Sequence, residues 1–124
     1  SEMCIRDRTD TVIYELKTIT VNGEGPQVME CIMCGDKERE KVFSIRRGGV
    51  ICTQCAGQIS DGIHLLPSTL YTLQYIVCSP IEKLYTFVVK EDVLGELKNL
   101  TKAYLDEYLG KRFKSLEILE TIVR

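Results

Sequence analysis

Cys31-Ile32-Met33-Cys34 and Cys52-Thr53-Gln54-Cys55 form two C-x-x-C pairs with seventeen residues between them. That spacing is the one used by four-cysteine zinc sites. Thiols three residues apart can turn their sulfurs to the same side only where the backbone curls into a tight knuckle. Gly35, directly after the second sulfur, supplies the positive φ that such a turn needs. The stretch between the knuckles must run out and return. Val42-Phe43-Ser44-Ile45, Gly48-Gly49 and Val50-Ile51 predict a β-hairpin that does so. The whole reads as a zinc ribbon, with Cys31, Cys34, Cys52 and Cys55 as ligands to a structural Zn²⁺.

Other uses of the cysteines fit less well. No secretory leader is expected here, and six cysteines in 124 residues are too sparse for a disulfide-stapled fold. A redox C-x-x-C normally comes once, beside a βαβ pattern; this one comes twice, without that pattern. Chance would leave both the pairs and the gap between them without a cause. Four thiolates close the shell of a zinc ion and leave no position for water, which makes the site structural rather than catalytic. A zinc deaminase needs H-x-E and P-C-x-x-C. Glu30 and Ile51 stand where the proline would be, and the single histidine, His64, is followed by Leu65-Leu66. His64 is read as a surface or capping residue, outside the ligand set.

At 124 residues the chain is one domain or part of one, with an ordinary soluble composition and no apolar run long enough to span a membrane. Its formal net charge is −2, and four thiolates around one Zn²⁺ would take it to about −4. An acidic chain argues against bulk electrostatic attraction to nucleic acid, so any such contact must come from a local patch or from a segment the chain lacks. Reduced, metal-ligating thiols fit a cytoplasmic setting. Cys4 and Cys78 lie far from the pairs, and Cys78, ending an apolar helix, reads as core.

The elements that carry the knuckles are mainly helical. Val12, Ile13, Leu16 and Ile19 recur at helical spacing from a cap at Asp10-Thr11, and Asn22-Gly23 stops that helix. Asp36 to Lys41 alternate in sign, as a solvated loop does. Arg46-Arg47 fall at the hairpin tip, where they either offset the anionic thiolate cluster or reach a nucleic-acid phosphate. After Cys55 a polar linker containing Gly57 and Gly62 leads to Leu65-Leu66-Pro67. Ser68 is the expected cap of a helix whose face is Leu70, Leu73, Ile76 and Val77. Ser79-Pro80-Ile81-Glu82 reads as a capping box opening a short helix. Tyr85 to Val89 is expected to be partly extended or irregular. The longest helix opens at Glu91-Asp92, carries Val93, Leu94, Leu97, Leu100, Tyr104, Leu105 and Tyr108, and is expected to end at Gly110. Ser115 would cap a last short helix with Leu116, Leu119 and Val123. The fold class is therefore mainly α, a helical domain with an inserted Cys₄ zinc-ribbon-like β-hairpin module. Its parts are residues 1–30 (leading segment and helix), 31–59 (zinc module) and 60–124 (C-terminal part of the helical domain).

The order of features resembles one family. Cys31 to Gly35, Gly48-Gly49, Cys52 to Cys55, Leu66 to Leu70 and the terminal Leu109-Gly110-Lys111-Arg112-Phe113-Lys114-Ser115-Leu116-Glu117 are similar to the C-terminal part of RecO, the bacterial recombination mediator of the RecFOR pathway. Tyr14-Glu15-Leu16-Lys17 also resembles that family's helix before the knuckle. The resemblance covers roughly residues 10 to 120. It implies non-enzymatic work: DNA binding and strand annealing, contact with RecR, and capture of the C-terminal tail of single-stranded DNA-binding protein, in support of RecA loading. It also implies an N-terminal OB-fold, which is not expected within these residues, and residues 1–8 are expected to match nothing in the family. A fragment with weak DNA binding is the expectation. Lys111, Arg112 and Lys114 carry over as a basic cluster beside the tip arginines, Arg46 and Arg47; their other reading is offset of a helix dipole and of Glu117 and Glu120. An apolar groove with a cationic rim on the helical part would suit an acidic tail ending in a hydrophobic residue. The competing function is a zinc-ribbon protein-interaction adaptor in transcription or translation.

Overall fold

The computed structural model describes the backbone of residues 5–84 and 89–123 and the side chains of residues 7–84 and 89–111. Helix α1 (Ile5–Val21) leads into the first knuckle. Strands β1 (Lys41–Ser44) and β2 (Gly49–Cys52) follow, then β3 (Gly62–His64), α2 (Pro67–Cys78), a 3₁₀ turn at Ile81–Leu84 and α3 (Glu91–Val123). The three helices pack on one another and carry the main core: Val12, Ile13 and Leu16 of α1, Leu73 and Ile76 of α2, Val93, Leu94, Leu97 and Leu100 of α3. These are the apolar stripes at helical spacing, each burying a face that it cannot bury alone.

The sheet is antiparallel in the order β2-β1-β3, with Val42 opposite Ile51 and Phe43 opposite Val50. Because side chains alternate along a strand, its two faces serve different cores. Phe43 and Val50 point into the helical core, whereas Val42 and Ile51 join Cys31 and Cys52 in a second cluster backed by Ile59. The edge of β2 is closed by the segment before the knuckle: Gln27 pairs in parallel with Gly49, and Ile32 N–H donates to the Val50 carbonyl at 3.0 Å. A Cβ on Gly49 would stand 2.6 Å from the Gln27 carbonyl oxygen, so only glycine allows that approach.

Several local expectations are corrected. Helix α1 begins at Ile5, so Asp10 and Thr11 lie inside it rather than at its cap. Its end falls where Asn22-Gly23 placed it: Gly23 N–H donates to Thr20 and Glu24 N–H to Ile19, the paired bonds of a Schellman turn. The stretch read as a linker after Cys55 contains a 3₁₀ turn (Ala56–Gln58) and β3, whose three residues are all exposed. Ile45 belongs to the hairpin turn rather than to β1. Lys41 is not solvated: it opens β1, its side chain is 3% exposed, and its ammonium donates to the Arg39 carbonyl at 2.7 Å with Asp36 at 3.8 Å. The cap position of α2 is Leu66, with Pro67 first in the helix, so Ser68 lies in the first turn. The segment after Pro80 makes only the 3₁₀ turn. Cys78 is exposed rather than core. Helix α3 runs through Gly110 to Val123, so no separate helix starts at Ser115. Of the stretch Tyr85 to Val89 expected to be partly extended or irregular, Val89 belongs to no helix or strand, and Tyr85 to Val88, like Cys4, lie outside the described residues.

Candidate metal centre

The first knuckle is tied by Gly35 N–H to the Cys31 carbonyl at 2.8 Å and by Cys31 N–H to the Asp36 carbonyl at 2.9 Å. Gly35 takes φ +79°, the left-handed turn its position required. Met33 N–H points at the Cys31 sulfur at 3.4 Å. The second knuckle follows directly from β2, with Cys55 N–H donating to the Cys52 carbonyl at 3.0 Å. Thr53 N–H reaches the Glu40 carbonyl, and the Arg39 guanidinium donates to Gln54, so the segment before β1 is fastened beside the second pair.

These turns bring the four Sγ atoms within 4.8 Å of one another, with Cys34 and Cys52 at 3.6 Å. A disulfide requires about 2.05 Å. Tetrahedral coordination at about 2.3 Å per Zn–S bond places sulfurs about 3.8 Å apart. The arrangement therefore fits one ion and not a disulfide, and the four cysteines can hold a metal. Cys31 and Cys52 are buried, Cys55 is half-buried and Cys34 is exposed. Burial disfavours a Cys31 thiolate, yet donors from the backbone of Cys52, Cys34 and Met33 outweigh it and bring the thiol down to about 6. The neighbouring Cys52 sulfur, followed by burial, pushes Cys55 up to about 12. Metal-free, the cluster thus keeps some protons because thiolates this close repel. A cation removes that conflict. Four protein ligands leave no coordination position for water, and His64 is not part of the group.

Arg46 and Arg47 are exposed in the hairpin turn, and the fold carries them to α3. Both line a cleft of about 250 Å³ with Lys111, Tyr104, Tyr108 and the turn at Gly23 to Gly25. Lys111 also pairs with Glu107 at 3.9 Å, one helical turn away. Arg112 and Lys114 lie on α3, with side chains outside the described residues. Two positioning groups were not foreseen. Asp61 accepts from Ser44 Oγ at 2.9 Å and from Arg46 N–H at 3.1 Å, holding the arginine turn from below. Tyr104 donates to the Glu24 carbonyl at 2.6 Å and sets its ring edge-on to Phe43, with centroids 6.1 Å apart. The only sequence trace of the first is an Asp-Gly pair in an apparent linker.

With this geometry in place, the family model described as "Recombination protein O C terminal" matches residues 6–117. The chain belongs to the RecO family. The match begins inside the first eight residues, which were expected to have no counterpart. Proteins described as "DNA repair protein RecO" are similar throughout. That of Acetivibrio thermocellus is 29% identical over 113 residues (90% of this chain, 45% of the relative). That of Thermoanaerobacter sp. is 30% identical over 109 residues (88% and 44%). That of Desulforamulus reducens is 29% identical over 126 aligned positions (100% and 47%). The chain thus spans less than half the length of these RecO relatives. No solved structure is significantly similar to it. Among the described residues no helix is long and apolar enough to cross a membrane.

Proposed function

We propose that this chain is the zinc-bearing and helical part of a DNA repair and homologous recombination mediator of the RecFOR pathway, working by binding rather than by catalysis. The observation that carries the reading is the family match across residues 6–117, which includes all four clustered cysteines. The cofactor is a structural Zn²⁺ held by Cys31, Cys34, Cys52 and Cys55. Its role is to add binding free energy to folding, ~10–16 kcal/mol in comparable small sites. The thiols suit a reducing cytoplasm. In the domain division, 31–59 is the zinc module and 60–124, with the leading helix of 1–30, the helical body.

The partners are DNA, RecR and the acidic C-terminal tail of single-stranded DNA-binding protein. Arg46, Arg47, Lys111, Arg112 and Lys114 supply the DNA contacts that this part of the protein makes. For the tail, the groove between α1 and α3 offers the right chemistry. Val12, Leu105 and Leu109 give it an apolar lining, and Lys98 and Lys102 give its rim two cations beside the carboxylates of Glu15 and Asp106, with Arg8 paired to Glu91. A short acidic peptide ending in a hydrophobic residue has the complementary pattern. Strand annealing would draw in addition on an OB-fold groove for single strands, supplied outside these residues.

The test is a titration of the zinc-loaded chain with the tail peptide of single-stranded DNA-binding protein. Saturable binding is expected, weakened at least fivefold by Lys98→Ala together with Lys102→Ala. Metal analysis of the same sample should give one zinc per chain, and Cys55→Ser should lower the zinc content. A chain that takes up no zinc with all its thiols reduced, and no tail peptide, contradicts the proposal.

A further inference from the structure

The cleft between the hairpin turn and α3 gathers charge from parts of the chain that are far apart in sequence. Arg46 and Arg47 come from the turn between β1 and β2, and Lys111 comes from α3, more than sixty residues later. Among the described residues neither arginine side chain forms an ion pair. Their backbone is nonetheless fixed. Arg46 N–H is held by Asp61, and Arg47 N–H donates to Ser44 Oγ at 3.2 Å. The exposed guanidinium groups therefore project from an ordered turn, so little backbone freedom is left to lose on binding.

The floor is equally built. Tyr104 spans from Phe43 of β1 to the Glu24 carbonyl, locking the hairpin and the end of α1 onto α3. Tyr108 lines the cleft beside it. Two carboxylates share the space, Glu24 and Glu107, and the second is engaged by Lys111. Among the groups lining the cleft, with that pair counted as neutral, Arg46 and Arg47 against Glu24 leave a surplus of one positive charge, which the Asp61 carboxylate under the turn partly offsets. A volume of about 250 Å³ is below the roughly 300–1,000 Å³ usual for a drug-sized ligand. It suits a small anionic group presented on a longer molecule.

From this geometry we infer that the cleft is a seat for one phosphodiester of a nucleic-acid strand, gripped by Arg46 and Arg47 from the hairpin and by Lys111 from α3. The inference rests on the DNA-repair reading above and gives it a place. Arginine forks match phosphate oxygens in two-point fashion, and the contact is made to backbone, so it carries no sequence preference. The strand would cross from the zinc-bearing hairpin to the helical body, and the seat exists only when the two are docked.

The experiment measures binding of a fluorescein-labelled oligothymidylate to the zinc-loaded chain by anisotropy from 20 to 200 mM salt. One phosphate neutralised in the seat contributes about −0.7 to the log–log salt slope, on the rule for single strands. Changing Arg46 and Arg47 together to Ala should remove about 0.7 from the slope and weaken binding at least tenfold at the lowest salt. Lys111→Ala should weaken binding at the lowest salt, by less than the double arginine change. Glu24→Gln should strengthen binding, and Lys83→Ala, outside the cleft, should leave it unchanged. Zinc content and circular dichroism confirm that each variant is folded. Binding that ignores the cleft substitutions overturns the inference, as does no binding at the lowest salt. So does a polyglutamate peptide that binds with the same dependence while DNA does not. Any of these leaves the tail-peptide and zinc tests standing, so failure of the seat is distinguishable from failure of the repair reading.

Discussion

Asp61 shows how one side chain can set the geometry of a functional surface without belonging to it. Burial works against its carboxylate, but the Arg46 N–H and the Ser44 hydroxyl hold it below the ordinary carboxylate value of 3.8. A depressed carboxyl contributes stability that is present above its unfolded pKa and is lost as pH falls through the folded value. Asp61→Asn should therefore cost about 1–2 kcal/mol at pH 7, the range for hydrogen bonds to a charged acceptor at a partly exposed site. The difference from wild type should shrink towards zero in acid, below pH 3.8. Urea melts of the two zinc-loaded proteins at pH 7 check that cost; no deficit there would show that the Asp61 charge contributes nothing beyond the shape of its side chain. The cysteine ligands were legible because their chemistry is written in four residues and one interval. Asp61 was not, since its partners Ser44 and Arg46 lie more than ten residues away and only the pairing of β3 with β1 brings them together.

At the scale of elements, α2 is held at both ends by its neighbours. At its N-terminus Glu96 of α3 accepts from Leu66 N–H at 3.0 Å and from Thr69 Oγ1 at 2.5 Å. At its C-terminus the Lys17 ammonium of α1 donates to the Val77 carbonyl at 3.2 Å. A carboxylate at the positive end and an ammonium at the negative end both suit the helix dipole. The cap expected from Ser68 is thus supplied from another helix, which no local pattern could reveal. Glu96→Ala should destabilise the protein by about 1–2 kcal/mol, the usual cost of losing an N-cap, with Ser68→Ala near neutral; thermal melts of the two variants decide between a tertiary and a local cap. The stop at Gly110 was misjudged for a related reason. A helical glycine costs only about 1 kcal/mol relative to alanine, and Gly110, with open space around it, does not break α3. Strand β3 has three exposed residues and no apolar alternation; it is strand only because β1 offers it an edge.

For the molecule as a whole, the sheet is the shared wall between the metal cluster and the helices. Its alternation sends Val42 and Ile51 to the sulfurs and Phe43 and Val50 to the helical core. Removal of the ion should therefore not leave an intact helical body with one loose hairpin. Four thiols released from the cation recover their mutual repulsion as they ionise, and the knuckles that anchor both ends of the hairpin slacken. Phe43 then loses its fixed seat against Tyr104, and the Tyr104 bond to the Glu24 carbonyl loses its backing. Zinc-loaded protein should melt in one cooperative transition, because a single wall couples the two clusters. Chelation should lower that midpoint by well over 10 °C and bleach the near-ultraviolet tyrosine signal, while much of the far-ultraviolet helix signal survives at low temperature. Hydrogen exchange should lose protection first in residues 31–55 and next along residues 97–108 of α3. Loss confined to residues 31–55, with α3 unchanged, would mean that the two cores are energetically separate and that Phe43 and Val50 only rest against the helices.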